Sequence, residues 1–283
     1  MSIVNTWTVA KRGTGLPDYT QPRPAGQIST DVAADKGSGD VAELAVRLKS
    51  ADFFDRRGNV CFLDDFENGI SKWGGTFHQT AWESQLDRTI RTHITGGFGY
   101  HVWATAGIGN LGNAFTIVPY PSVSVVGYEW CFAFDNNVDY FYMDHRTNNF
   151  NLEHRPWVWY CKTATAAPFG MLANNLYVAT TGMQLMRVCE ISLEIARFHV
   201  IKLTANMETG MYEWITIDGQ AYDLSTIECM HAGGPGTPQV EEAIQIYNND
   251  AADPANLYLN HFILTTDEKG VSIAPESMVM TVL

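Results

Sequence analysis

From Phe53 onward the chain keeps no helical period. Apolar residues recur in short runs rich in Val, Ile, Tyr, Phe and Trp, cut by Gly, Pro, Asn and Asp, which is the pattern of strands and turns. The clearest case is residues 198–204, 211–217 and 220–224. The first two runs flank the turn-rich stretch 205–210, and the last two are joined by Asp218-Gly219, the strongest short hairpin dipeptide. Further strand-like runs fall at 115–118, 124–134, 140–143, 157–163, 176–180, 185–196, 245–248 and 257–265. Residues 53–54 and 60–63 flank a turn in which Gly58 or Asn59 takes positive φ. About a dozen strands without intervening helices predict an all-β fold, an antiparallel jelly-roll β-sandwich, rather than a parallel α/β sheet.

The front of the chain reads differently. Residues 1–39 carry Pro17, Pro22, Pro24 and five glycines with few aliphatic residues after Val9, so they enclose no core of their own. They predict an extended N-terminal arm, either disordered or ordered against another surface, with Trp7 and Tyr19 as contact residues. Asp40-Val41-Ala42-Glu43 has capping-box form, and Val41, Leu44, Ala45 and Leu48 share one face of a short helix over 41–50 docked by Leu44 and Leu48. The expected organisation is an arm over 1–39, a short helix and hairpin over 40–60, and the sandwich over 61–283.

Charge narrows the partners. Eighteen Lys and Arg stand against 31 Asp and Glu, a net charge of −13, and residues 1–60 hold 8 of the basic and 7 of the acidic groups. The acidic body repels the phosphates of nucleic acid and anionic lipid, so neither is an expected partner. No run approaches the ~20 apolar residues of a membrane span, and the N-terminus lacks the basic-then-apolar pattern of a secretory signal. Cys61, Cys131, Cys161, Cys189 and Cys229 are odd in number, widely spaced and mostly within apolar runs, which suits free thiols in a protein made in the cytoplasm. None has the spacing of a zinc finger.

Three segments in order carry a resemblance: residues 62–73 (Phe-Leu-Asp-Asp-Phe-Glu-Asn-Gly-Ile-Ser-Lys-Trp), the meander 198–224, and residues 257–265 (Leu-Tyr-Leu-Asn-His-Phe-Ile-Leu-Thr). Together they resemble the concanavalin A-like, laminin-G-like jelly roll over residues 62–267. That superfamily hosts lectins, carbohydrate-binding modules, glycosidases, polysaccharide lyases and virion domains, so the resemblance implies a fold before a function. The leader, with residues 55–59 and 64–67, also resembles jelly-roll proteins of bacteria and tailed phages. This implies a non-catalytic virion component, such as a capsid-decoration subunit, that forms homo-oligomers or meets other particle subunits through Trp7, Tyr19, Leu44 and Leu48.

Several constellations could carry chemistry. Glu190-Ile191-Ser192-Leu193-Glu194 partly resembles the catalytic strand of laminarinase-like glycoside hydrolases, which implies an alternative, glycan-active enzyme using Glu190 and Glu194. Ser192 stands where that pattern has an Asp, which removes the group that would tune the nucleophile. The leading expectation is therefore no catalytic residue. Aromatic residues gather at Trp130, Tyr140, Tyr142, Trp157, Trp159 and Tyr160, and sugars stack on such rings. Trp157, Trp159 and Tyr142 are the candidate glycan-binding residues, with core packing as the alternative. Asp64, Asp65, Glu67 and Asn260 offer oxygen ligands, and the resemblance to carbohydrate modules implies a structural Ca²⁺ there; otherwise no cofactor is expected. His145 and His154, bracketing the loop-like stretch 146–153, read as loop or surface residues.

Overall fold

The computed structural model describes residues 58–66, 69–74, 82–87, 99–119, 124–148, 152–163, 168–233 and 239–268. The arm, the short helix and their contact residues Trp7, Tyr19, Leu44 and Leu48 lie outside the described residues. In chain order the strands are β1 (Asn59–Asp64), β2 (Trp82–Asp87), β3 (Gly99–Ala104), β4 (Leu111–Pro119), β5 (Val125–Phe134), β6 (Val138–Asn148), β7 (Leu152–Arg155) and β8 (Trp157–Cys161). They continue as β9 (Asn175–Thr180), β10 (Gln184–Glu190), β11 (His199–Asn206), β12 (Met211–Ile217), β13 (Gln220–Asp223), β14 (Met230–Gly233), β15 (Gln239–Asn248) and β16 (Ala255–Thr266).

These strands form two antiparallel sheets. The first runs β13-β12-β11-β5-β16-β3-β2, with β1 also on β16. The second runs β10-β9-β8-β6-β15-β4, with β7 on β6 and β14 on β7. The sequence-adjacent strands β15 and β16 lie in different sheets, each between strands from earlier in the chain, as a jelly roll requires. The meander is β11, β12 and β13, and Asp218 (φ 48°) with Gly219 (φ 85°) gives the two positive φ values of the tight hairpin turn that matches strand twist.

Period-two alternation places the core. On the first sheet Tyr128, Trp130, Phe132 and Phe134 of β5 and Leu257, Leu259, Phe262 and Leu264 of β16 point inward; on the second, Phe141 and Met143 of β6, Val158 and Tyr160 of β8, and Ile244 and Ile246 of β15 meet them. Trp73 joins this core edge-on to Trp130 at 5.6 Å and Phe262 at 5.9 Å. Gly112 of β4 marks where the sheets touch, because a Cβ there would lie 2.9 Å from the backbone of both Trp103 and Ala104 of β3.

Two expectations are corrected. The run 185–196 is not one strand: β10 stops at Glu190, residues 191–194 leave the sheet, and Leu193 turns into the core with its N–H on the Tyr160 hydroxyl at 3.0 Å. Nor are His145 and His154 surface residues, since both are buried, in β6 and β7. The described residues between them belong to paired strands, Thr147 opposite His154 and Asn148 opposite Glu153. All five cysteines are free, and burial pushes the Cys161 thiol up to about 12 and those of Cys131 and Cys229 well above the ordinary range. Among the described residues no helix is long and apolar enough to cross a membrane.

Candidate functional site

The second sheet has a second apolar face, turned away from the core. Because Phe141, Met143 and His145 face inward, Tyr140, Tyr142, Asp144 and Arg146 of β6 share the outer face. Strand register extends that face sideways. Gln245, Tyr142, Trp159 and Tyr177 stand opposite one another across β15, β6, β8 and β9, with Tyr247, Tyr140, Cys161 and Asn175 in the next row. Tyr140, Trp157, Trp159, Cys161, Met171, Tyr177, Ala179, Leu185 and Met230 make a packed cluster separate from the core, with Tyr142 and Tyr247 against it.

The rings face one another. Tyr140 stacks on Tyr247 at 4.1 Å, Tyr142 on Trp159 at 4.3 Å, and Tyr142 lies 5.7 Å from Trp157. The Tyr142 hydroxyl donates to Gln245 Oε1. Burial raises the phenols of Tyr140, Tyr142 and Tyr247 above the ordinary range, helped for Tyr140 and Tyr142 by Tyr247. All three remain neutral hydrogen-bonding groups at physiological pH.

One end of this face carries a closed charge network. Asp144 takes Arg155 Nη2 at 2.6 Å and the Trp157 indole N–H, and Arg155 lies 4.3 Å over the Trp157 ring. Arg146 sits 3.0 Å from Glu241 and 3.3 Å from Glu153, and Arg155 lies 3.6 Å from Glu153. Two guanidiniums thus meet three carboxylates, leaving about one net negative charge beside the rings.

The other end is covered. The turn Pro168–Gly170 carries Phe169, 6.0 Å from Trp159 and edge-on at 87°, and Met171 is buried in the cluster. Trp159 beneath this turn is only 5% exposed and Trp157, under Arg155 at the charged end, only 7%, while Phe169 is 53% exposed. The candidate sugar-binding residues Trp157, Trp159 and Tyr142 are brought together, as a set of covered rings. Sequence reasoning missed Tyr247, Tyr177, Phe169 and Met171, since register and not spacing assembles them; it also grouped Trp130 and Tyr160 with this set, although both point into the core.

Glu190 and Glu194 are not brought together across a cleft. Glu190, 75% exposed, lies 3.0 Å from Arg187, and Glu194, 70% exposed, lies 3.4 Å from Arg197 beyond the strand's end. Asp64 is buried, accepting from the Phe66 N–H and the Trp73 indole N–H, both at 2.9 Å, with Lys72 at 3.6 Å. Those bonds hold the first strand's end to the core. Asn260 Oδ1 lies 3.1 Å from His261 Nδ1; Asp65 is half-buried, and Glu67 lies outside the described residues. Among the described residues no group of three or more His, Cys, Asp or Glu side chains is arranged to hold a metal ion.

No protein-family model matches the chain, and no curated protein matches it. Solved structures do. An endo-β-1,4-glucuronan lyase from the fungus Trichoderma reesei superposes with a TM-score of 0.50 at 12% identity, covering 74% of this chain and 96% of that one. A carbohydrate esterase of the Shiga toxin-encoding bacteriophage phi24B follows at TM-score 0.47 and 9% identity, over 75% and 100%. Lectin II from Ulex europaeus follows at TM-score 0.44 and 10% identity, over 73% and 99%. The chain is an antiparallel jelly-roll β-sandwich, the fold that its strand order defines and that the glucuronan lyase shares.

Proposed function

We propose that the protein is a non-catalytic jelly-roll binding module that takes a neutral glycan on the outer face of its second sheet. The observation that carries this reading is the line of rings from Tyr247 and Tyr140 through Tyr142 to Trp159 and Trp157. It lies on a sheet face the core does not need, with amide and hydroxyl groups interleaved, as sugar recognition requires. The fold hosts both lectins and carbohydrate-active enzymes, so the reading rests on the face and not on the fold. A neutral ligand is favoured because Arg146 and Arg155 already face three carboxylates. Non-catalytic action is favoured because Glu190 and Glu194 stand in solvent beside arginines.

Titration calorimetry with cellohexaose, laminarihexaose and an oligoglucuronate tests it. A neutral hexasaccharide is expected to bind, and Trp159→Ala to weaken it about tenfold; binding of the oligoglucuronate alone, or of none, overturns the reading. A place in a particle, with residues 1–39 contacting a neighbouring subunit, extends the proposal. Deleting those residues should leave a folded sandwich and lower the mass measured by light scattering, and an unchanged mass contradicts that extension.

A further inference from the structure

The rings of the outer face are covered by the protein itself. Met171 is 3% exposed and packed among Trp159, Tyr177 and their neighbours, between Phe169 and Leu172, which are 53% and 49% exposed. A chain that buries a methionine and leaves the two large apolar side chains around it in solvent is using the methionine to fill a space.

The same sheet face holds unsatisfied polar atoms. Trp159 Nε1, a donor, and Asn175 Oδ1, an acceptor, are both buried without a hydrogen-bond partner. Trp159 pairs with Tyr177 and Cys161 with Asn175, so Trp159 and Asn175 are diagonal neighbours on one face of β8 and β9. A lone buried donor and a lone buried acceptor each cost stability. A sugar hydroxyl, which both gives and accepts, would satisfy them; a thioether cannot donate to Asn175.

The covering turn is also held under strain. Phe169 has φ 59° and Gly170 φ 69°, and the left-handed region is costly for a bulky L-residue. The Met171 N–H reaches Pro168 O at 3.4 Å, and the Leu172 N–H donates to the Tyr177 hydroxyl at 2.8 Å. Among the described residues, release breaks the good hydrogen bond from Leu172 to Tyr177 and withdraws one side chain.

We propose, resting on the glycan reading above, that residues 168–172 form a displaceable plug in which Met171 holds the place of a sugar ring against Trp159 and Asn175. Binding then withdraws Met171, relaxes Phe169 and frees the Leu172 amide. The plug lowers the apparent affinity by the small fraction of open molecules, so removing the plugging side chain restores it.

The test pairs Met171→Ala with amide exchange of the wild-type chain, using cellohexaose and laminarihexaose as probes. Met171→Ala is expected to bind at least one hexasaccharide about threefold or more tightly than wild type. In the wild type, saturation should speed exchange at the Leu172 amide while slowing it in β8. Wild-type binding that is lost in Trp159→Ala but not improved by Met171→Ala, with Leu172 slowed by ligand, overturns the plug and leaves the glycan reading standing. Absence of binding by both wild type and Met171→Ala overturns the glycan reading and the plug together. Self-association lost in Phe169→Ala would instead assign the exposed Phe169 and Leu172 to a second copy of the chain, and also overturns the plug.

Discussion

His145 Nδ1 lies 2.5 Å from Glu242 Oε2 inside the sandwich, with both side chains fully buried and the Tyr128 ring stacked 4.4 Å over the imidazole. β6 and β15 are neighbours and these residues are directly opposed, so each places its polar group where its strand neighbours place apolar ones. Burial lowers the His145 pKa to about 3, and burial with nearby Asp144 raises that of Glu242 well above its ordinary value. Both shifts favour the uncharged forms of the two groups, which a single hydrogen bond between carboxyl and Nδ1 joins.

This pair fixes a pH signature. Between pH about 6.5 and 3 the unfolded chain protonates His145 and the folded one does not, so stability falls as pH falls through that window. Glu242 acts oppositely: above about 4.5 the unfolded chain loses the proton the folded chain keeps, so stability falls as pH rises toward the folded value. Urea midpoints of Glu242→Gln, measured from pH 4 to 8, should show the loss on the alkaline side reduced and the loss on the acid side retained. An unchanged alkaline slope contradicts a raised Glu242 pKa.

The contact between sheets at Gly112 predicts a steep cost for one added methyl group. In Gly112→Ala the new Cβ meets backbone atoms of Trp103 and Ala104, which cannot move without shifting β3. A loss of about 1–3 kcal/mol in chemical denaturation is expected. Gly74→Ala, where nothing lies within 4 Å, is the control and should cost little.

On the opposite sheet Lys202 Nζ lies 2.7 Å from Glu268 Oε1, with both side chains buried, and Gly127 leaves the room they occupy. Each single replacement breaks a buried charge pair, so Lys202→Met or Glu268→Gln should each cost about 3–5 kcal/mol. The double replacement Lys202→Met with Glu268→Gln should cost less than the sum of the two single ones. Additive losses in a double-mutant cycle would contradict coupling between the two groups.

Much of the sandwich was legible in the sequence because turn chemistry and alternation agree. Asp218-Gly219 marks its hairpin, and the inward aromatics of β5 alternate with Gly127 and Glu129. β2, β3, β7 and β14 were not legible: β7 and β14 are only four residues long, and β2 and β7 carry charged residues that β7 places against Arg146 and Arg155. Around Glu190 the apolar alternation continues past the strand's end, because Leu193 reaches the core from a turn. The candidate site was half legible. Trp157 and Trp159 share a face on any strand, but which face lies outward depends on partners distant in the chain, and no local pattern announces that Met171 folds over them.

Indole N–H resonances test the central claim most directly. In a ¹⁵N-edited spectrum titrated with a neutral hexasaccharide, the Trp157 and Trp159 indoles should shift and saturate together, while those of Trp130 in the core and Trp214 on the first sheet stay in place. Saturable shifts at Trp214 with Trp157 and Trp159 unmoved, or no shift at any indole, would contradict a glycan site on the outer face of the second sheet.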